Sequence, residues 1–469
     1  MFRLIINACF TLFIVLFTIL TIIQSIWPSE FLFRVLSSLG IFCLLLSFCL
    51  IGINHLILPI FLFLLSLGFS NLNSDTNFLV IIWNGIHEMS NIIVIILVVP
   101  MISWVFEHEN YIKSIIIYFS RFLKTSTRLY LGIMTITQLI SCFLLIASIP
   151  VTYHFISDFL NSKYKEAWEY LKSTAILRAF GLITFWSISL PSFAYGVEVL
   201  HADLSLTLLN GFLLSFCGIL ISVFIFHFIN NKDNIHLNNE ITINLTNDLP
   251  SNSIVKKTIN EFIVLLISLL GSIVIFYFLL PLSLLIILPL VAIIWTITFF
   301  LVKKDIRAFI SKLSFFMKKE IPLKAKEVVV FFTAGFVVAS LNHTDFDEAI
   351  VEVMYQFSEK VSWMNFLFII PFTLAFLGFI GMPPVASMVL VVGVLQGITL
   401  PYPAHLVVLS LATGSLLSIL NSPFTTPGLL LSSVNGLSSF KNTFKRNWLF
   451  TLIFFTFAQL YIQFLWMTF

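Results

Sequence analysis

Four polar residues, Asn421, Ser422, Thr425 and Thr426, cluster in LNSPFTTPG (420–428) with Pro423 and Pro427, inside an otherwise oily part of the chain. Hydroxyl and amide oxygens at this density suit a hard cation such as sodium, and they can equally hold an anionic group. A proline in mid-helix removes an amide donor and costs about 3 kcal/mol unless neighbours compensate. The unwound turn frees backbone carbonyls and presents the positive end of the next half-helix to a ligand. A simple kink, with Ser and Thr satisfying the freed backbone, is the alternative. SLPSFAYG (189–196) repeats the theme with Ser189, Pro191 and Ser192.

Arg178, in STAILRAFG, is a cation in or beside an apolar run. Burying it costs about 2.5–3.5 kcal/mol on insertion scales. It reads either as a bidentate partner for a carboxylate or phosphate, or as a side chain that snorkels to the interface. His87, Glu88 and Glu198 are candidates for proton coupling, because burial moves such groups into the physiological range; solvated loop charge is the other reading, above all for Glu198. No HExxH, GxSxG or Walker sequence occurs, so neither an enzyme nor a bound cofactor is expected, and no resident metal beyond a transient Na+. Cys9, Cys43, Cys49, Cys142 and Cys217 lack metal or redox spacing and read as lipid-facing or packing residues.

Membrane helices must position these groups. The 469 residues are 59 % hydrophobic and only 10 % charged, with mean hydropathy +1.05; a soluble domain carries about a quarter charged residues. Apolar runs predict spans at 4–27, 34–53, 56–72, 77–105, 131–158, 173–198, 204–229, 259–280, 283–302, 327–343, 363–399, 403–440 and 448–467. The Asn-rich stretch 230–257 reads as a polar cytoplasmic linker between an N-terminal half (1–229) and a C-terminal half (258–469). Basic residues gather in 107–128, 303–326 and 441–446, whereas 345–360 is acidic. The positive-inside rule puts the three basic segments in the cytoplasm. The count then closes at eleven crossings if 131–172 and 363–399 are re-entrant hairpins, with the N-terminus inside and the C-terminus outside. Their tips would carry Ser148, Pro150 and Thr152 in LIASIPVT, and Pro383, Pro384 and Ser387 in GMPPVAS.

An internal repeat accompanies this threading. SLPSFAYG aligns with NSPFTTPG at an offset of 232, ADLS (202–205) with NGLS (435–438) at 233, and SIPV (148–151) with MPPV (382–385) at 234. Paired Pro/Gly-interrupted segments in two inverted halves point to a transporter's binding site. In these features the chain resembles the ion transporter superfamily, including dicarboxylate/sodium symporters and the large membrane subunits of TRAP transporters, over 77–467. Each half would contain an interfacial arm (107–128 and 345–362), a hairpin, and a broken helix (173–198 and 403–440). The resemblance implies an all-α fold of two inverted repeats and an elevator movement of hairpins and broken helices against a scaffold (4–105 and 204–302). It also implies a homodimer, and substrate or sodium held by Ser189, Ser192, Asn421, Ser422, Thr425 and Thr426 beside the tips.

The expectation is a secondary transporter of a bacterial cytoplasmic membrane, moving a small organic anion of carboxylate type with H+ or Na+. A translocase of a lipid-linked or envelope precursor, and a non-transporting membrane subunit of a larger assembly, are the alternatives. A net charge of +3 gives no reason to expect a nucleic-acid partner.

Overall fold

A helix that ends before a proline and restarts on a capping serine sets the pattern of the chain. α1 (Phe2–Ile26) stops short of Pro28, and Ser29 accepts the amide of Leu32 at 3.1 Å to start α2 (Glu30–Leu50). The computed structural model describes residues 2–71, 77–108, 111, 114, 125–159, 165–232, 252–344, 349, 352, 356 and 365–468. Among them every element is a helix, and nine stretches are long and apolar enough to cross a membrane. The protein is an all-α polytopic membrane protein. The expected arms, 107–128 and 345–362, lie almost wholly outside the described residues, as does 233–251 of the expected linker.

After α2 come α3 (Ile57–Ser70), α4 (Phe78–Val98) and the short α5 (Ser103–His108). The first long apolar run then divides into α6 (Ser126–Leu144) and α7 (Ser148–Phe159). Next are α8 (Lys165–Leu182), an irregular stretch over 183–190, α9 (Pro191–Val199) and α10 (Leu204–Lys232). The second half begins with α11 (Asn252–Leu279), so both described ends of the expected linker are helical. α12 (Leu284–Val302), α13 (Ile306–Phe315) and α14 (Ala325–Leu341) follow. The chain closes with α15 (Phe366–Phe379), α16 (Pro384–Leu395), α17 (Ala404–Asn421), a break at 422–425, α18 (Thr426–Asn435) and α19 (Arg446–Thr468).

Packing repeats between the halves. α8 lies on α6 and α10, as α17 lies on α15 and α19. Contacts also cross: α9 packs on α16 while α18 packs on α7, and α10 meets α17 while α19 meets α8. At the front of the bundle α4 meets α14 backbone to backbone. A Cβ on Gly85 would sit 2.7 Å from the Gly335 carbonyl, so only glycine permits this approach. α17 is buried along nearly its whole length, whereas α11 exposes a broad apolar face of the kind that lipid covers.

Candidate functional site: two hairpin tips and two helix breaks

The chain reverses between α6 and α7. Ser141 and Ser148, seven residues apart, bring their hydroxyls to 2.7 Å, where a straight helix would separate them by about 10 Å. Leu145 turns the corner with φ 49°, a left-handed conformation that strains a non-glycine residue. Gly381 does the same between α15 and α16 with φ 94°, without that strain. Each reversal lies three residues before the return helix, at Ser148 and Pro384 respectively.

Most of the prolines expected to break helices instead stand at helix starts. Pro150 falls in the first turn of α7, Pro191 and Pro384 open α9 and α16, Pro383 is the residue before α16, and Pro427 is in the first turn of α18. A missing amide is harmless in a first turn, where it would have no partner anyway. Of these expected helix breaks Pro383 and Pro423 lie in irregular residues, whereas Pro150, Pro191, Pro384 and Pro427 lie in the first turns of helices.

Each break docks on the tip of its own half. Ser189 donates to the Cys142 carbonyl at 2.5 Å and shares a 2.8 Å bond with Ser187. Ser422 donates to the Gly378 carbonyl at 2.7 Å and accepts the Phe424 amide at 3.2 Å. Thr425 in turn donates to the Ser422 carbonyl at 3.2 Å, which fixes the bend before α18. The two broken helices cross where Thr184 reaches the Ala412 carbonyl at 3.4 Å.

Ser148 donates to the Leu145 carbonyl at 2.6 Å, which stiffens the first tip. Thr152 and Ser387, one turn into their return helices, are fully buried, and neither hydroxyl has a partner among the described residues. The same holds for the Ser418 hydroxyl and for Oδ1 of half-buried Asn421. Ser192 is buried in the first turn of α9, and Thr426 is half-buried in that of α18. α9, α16 and α18 all start without a side-chain cap. The return helices and breaks thus carry both uncapped helix starts and enclosed oxygen atoms without partners among the described residues, and unsatisfied groups of this kind cost about 1–3 kcal/mol each.

The ionisable candidates lie apart from the tips. Arg178 is 1 % exposed, and its guanidinium is bonded by protein: Nε to Asn447 Oδ1 (2.9 Å), Nη1 to Tyr130 and Ser222 hydroxyls (3.2 Å each), and Nη2 to the Arg446 carbonyl (2.9 Å). It therefore neither snorkels nor presents a free fork. Glu198 accepts the Leu284 amide at 2.8 Å and so caps α12, while Asp203 caps α10 through Leu206. Glu88 is half-buried on α4, and on α9 the hydroxyl of buried Tyr195 has no partner among the described residues. His87 points elsewhere, edge-on to Phe33 with ring centres 4.9 Å apart.

Sequence reasoning missed a second buried polar cluster where α7, α8 and α19 meet. Lys172 pairs with Glu169 at 2.6 Å, Tyr153 donates to both Glu169 oxygens at 2.9 and 3.0 Å, and Arg446 Nη1 reaches Ser173 at 2.7 Å. Among the described residues no group of three or more His, Cys, Asp or Glu could hold a metal ion, and all five cysteines are free thiols. Compared with known proteins, the chain matches no family model and no curated protein.

Proposed function

We propose that the protein is a secondary transporter that carries a small anion of carboxylate type across a bacterial cytoplasmic membrane. The observation that carries this reading is the duplicated docking of break on tip, Ser189 on Cys142 and Ser422 on Gly378, with a buried hydroxyl unpartnered among the described residues one turn into each return helix, Thr152 and Ser387. The reciprocal packing of α9 on α16 and of α18 on α7 supports two inverted repeats of the kind expected from the resemblance to the ion transporter superfamily. Uncapped helix starts favour an anionic group. Asn421 and the hydroxyls of Thr152, Ser387 and Ser418 supply oxygen ligands for a coupling Na+, and half-buried Glu88 on α4 supplies the proton alternative.

In this reading α6–α9 and α15–α18 move together as an elevator against α1–α4 and α10–α12, in a homodimer. The test is uptake of pooled organic acids by liposomes containing the purified protein, under imposed Na+ or H+ gradients. Asn421→Ala with Thr425→Ala is expected to abolish gradient-driven uptake. Unchanged uptake in that double variant would rule out the site.

A further inference from the structure

Arg446 begins α19 and is 8 % exposed. Its Nη1 donates to the Glu169 carbonyl at 2.9 Å and to the Ser173 hydroxyl at 2.7 Å, and the guanidinium lies 5.9 Å from the Tyr170 ring centre. Both bonds use one nitrogen. The Nε–H and the two Nη2–H groups meet no acceptor among the described residues, and neither nitrogen is fully enclosed. One edge of a nearly buried guanidinium is therefore open.

Among the described residues the surrounding buried charge does not balance: Arg178, Lys172 and Arg446 lie beside one buried carboxylate, Glu169, which is already paired with Lys172. Four neutral acceptors surround Arg178, whereas among the described residues the acceptors of Arg446 all meet Nη1. A buried cation without a counter-charge or a full set of acceptors is costly. The adjoining turn Lys441–Lys445 adds positive potential, although Lys441 is paired with Glu166 at 2.7 Å.

We propose that the open edge of Arg446 is an oxyanion site, taking a phosphate or carboxylate group through two parallel N–H bonds with the Tyr170 ring closing one side. The group belongs either to a free anion or to a phospholipid headgroup. This site is separate from the tips and breaks, and it does not rest on the transport reading.

The test uses the full chain, with thermal unfolding followed by tryptophan fluorescence. Inorganic phosphate is compared with chloride at equal ionic strength in detergent, and nanodiscs of phosphatidylcholine are compared with discs that also contain phosphatidylglycerol. A midpoint raised by several degrees in the wild type and in Arg307→Gln, but not in Arg446→Gln, is the expected result. A rise with free phosphate identifies a soluble anion, and a rise confined to the anionic discs identifies a headgroup. Equal shifts in Arg446→Gln and wild type, or no shift under either condition, overturn the site. Should Arg446→Gln fail to fold, Arg446→Lys decides: it keeps the charge but lacks the fork, so apparent affinity is expected to fall about tenfold. Unchanged affinity in Arg446→Lys overturns the site.

Discussion

Arg178 Nη2 donates to the main-chain carbonyl of Arg446 at 2.9 Å, while the side chain of Arg446 turns back to Glu169 and Ser173 on the helix that carries Arg178. The two arginines thus stitch α8 to α19 from both sides, each using the other helix's neutral oxygens. Cation–π contact of Arg178 over Phe450, at 4.8 Å, adds to the same seam.

Replacing Arg178 by Gln leaves Asn447 and the Arg446 carbonyl without their donor, although Tyr130 and Ser222 still bond each other at 2.8 Å. The expected loss is about 3 kcal/mol, read as a lower unfolding midpoint in detergent. Arg178→Lys should recover less than half of it, because one ammonium cannot span the fork. Full recovery by lysine would show that charge alone is needed.

Lys172→Met leaves the Glu169 carboxylate buried with Tyr153 as its one remaining donor among the described residues. That change should cost about 3–5 kcal/mol. Adding Glu169→Gln should restore part of the loss, so that the double-mutant cycle is non-additive. Simple additivity would mean that the pair is not coupled.

Ser422→Ala removes both the bond to Gly378 and the bond from the Phe424 amide. About 2 kcal/mol should be lost, and the Phe424 amide should exchange hydrogen faster than amides within α15. Unaltered exchange at Phe424 would count against Ser422 as the pin of the break.

Gly335→Ala would drive a methyl group into the Gly85 carbonyl and Met89. Overpacking of this kind costs about 1–3 kcal/mol. Gly271, with nothing within 4 Å, is the contrast: its change to alanine should be neutral or stabilise by up to about 1 kcal/mol. Unfolding midpoints of the two variants compare them directly.

A fluorescent reporter inserted in 233–251 should shine in the cytoplasm, and a phosphatase fused after Phe469 should be active outside. The reverse pattern would invert the orientation drawn from the basic segments.

Much of the fold was legible because apolar runs in a low-charge chain leave few alternatives to helices. The positions of the breaks were less so. Motif matching pairs Pro191 with Pro423 at 232 residues, yet the N-cap residues Leu190 and Thr425 stand 235 apart, as do Thr152 and Ser387, and Ser187 and Ser422. Proline attracts the eye as a breaker, but Pro150, Pro191, Pro384 and Pro427 occupy first turns, and the irregular residues precede them. Arg446 read as one more basic residue of a cytoplasmic loop. Its partners Ser173 and Glu169 are 273 and 277 residues away in the chain, and no local pattern announces a contact of that range.

The exchange of partners between halves bears on how the chain is made. α9 emerges from the ribosome long before α16, the helix on which it packs, and α7 waits still longer for α18. An N-terminal half synthesised alone would sit in the bilayer with these faces uncovered, exposed to quality-control proteases. Two fragments cut within 233–251 and produced together would shield one another, so biogenesis, like the finished bundle, depends on both halves being present.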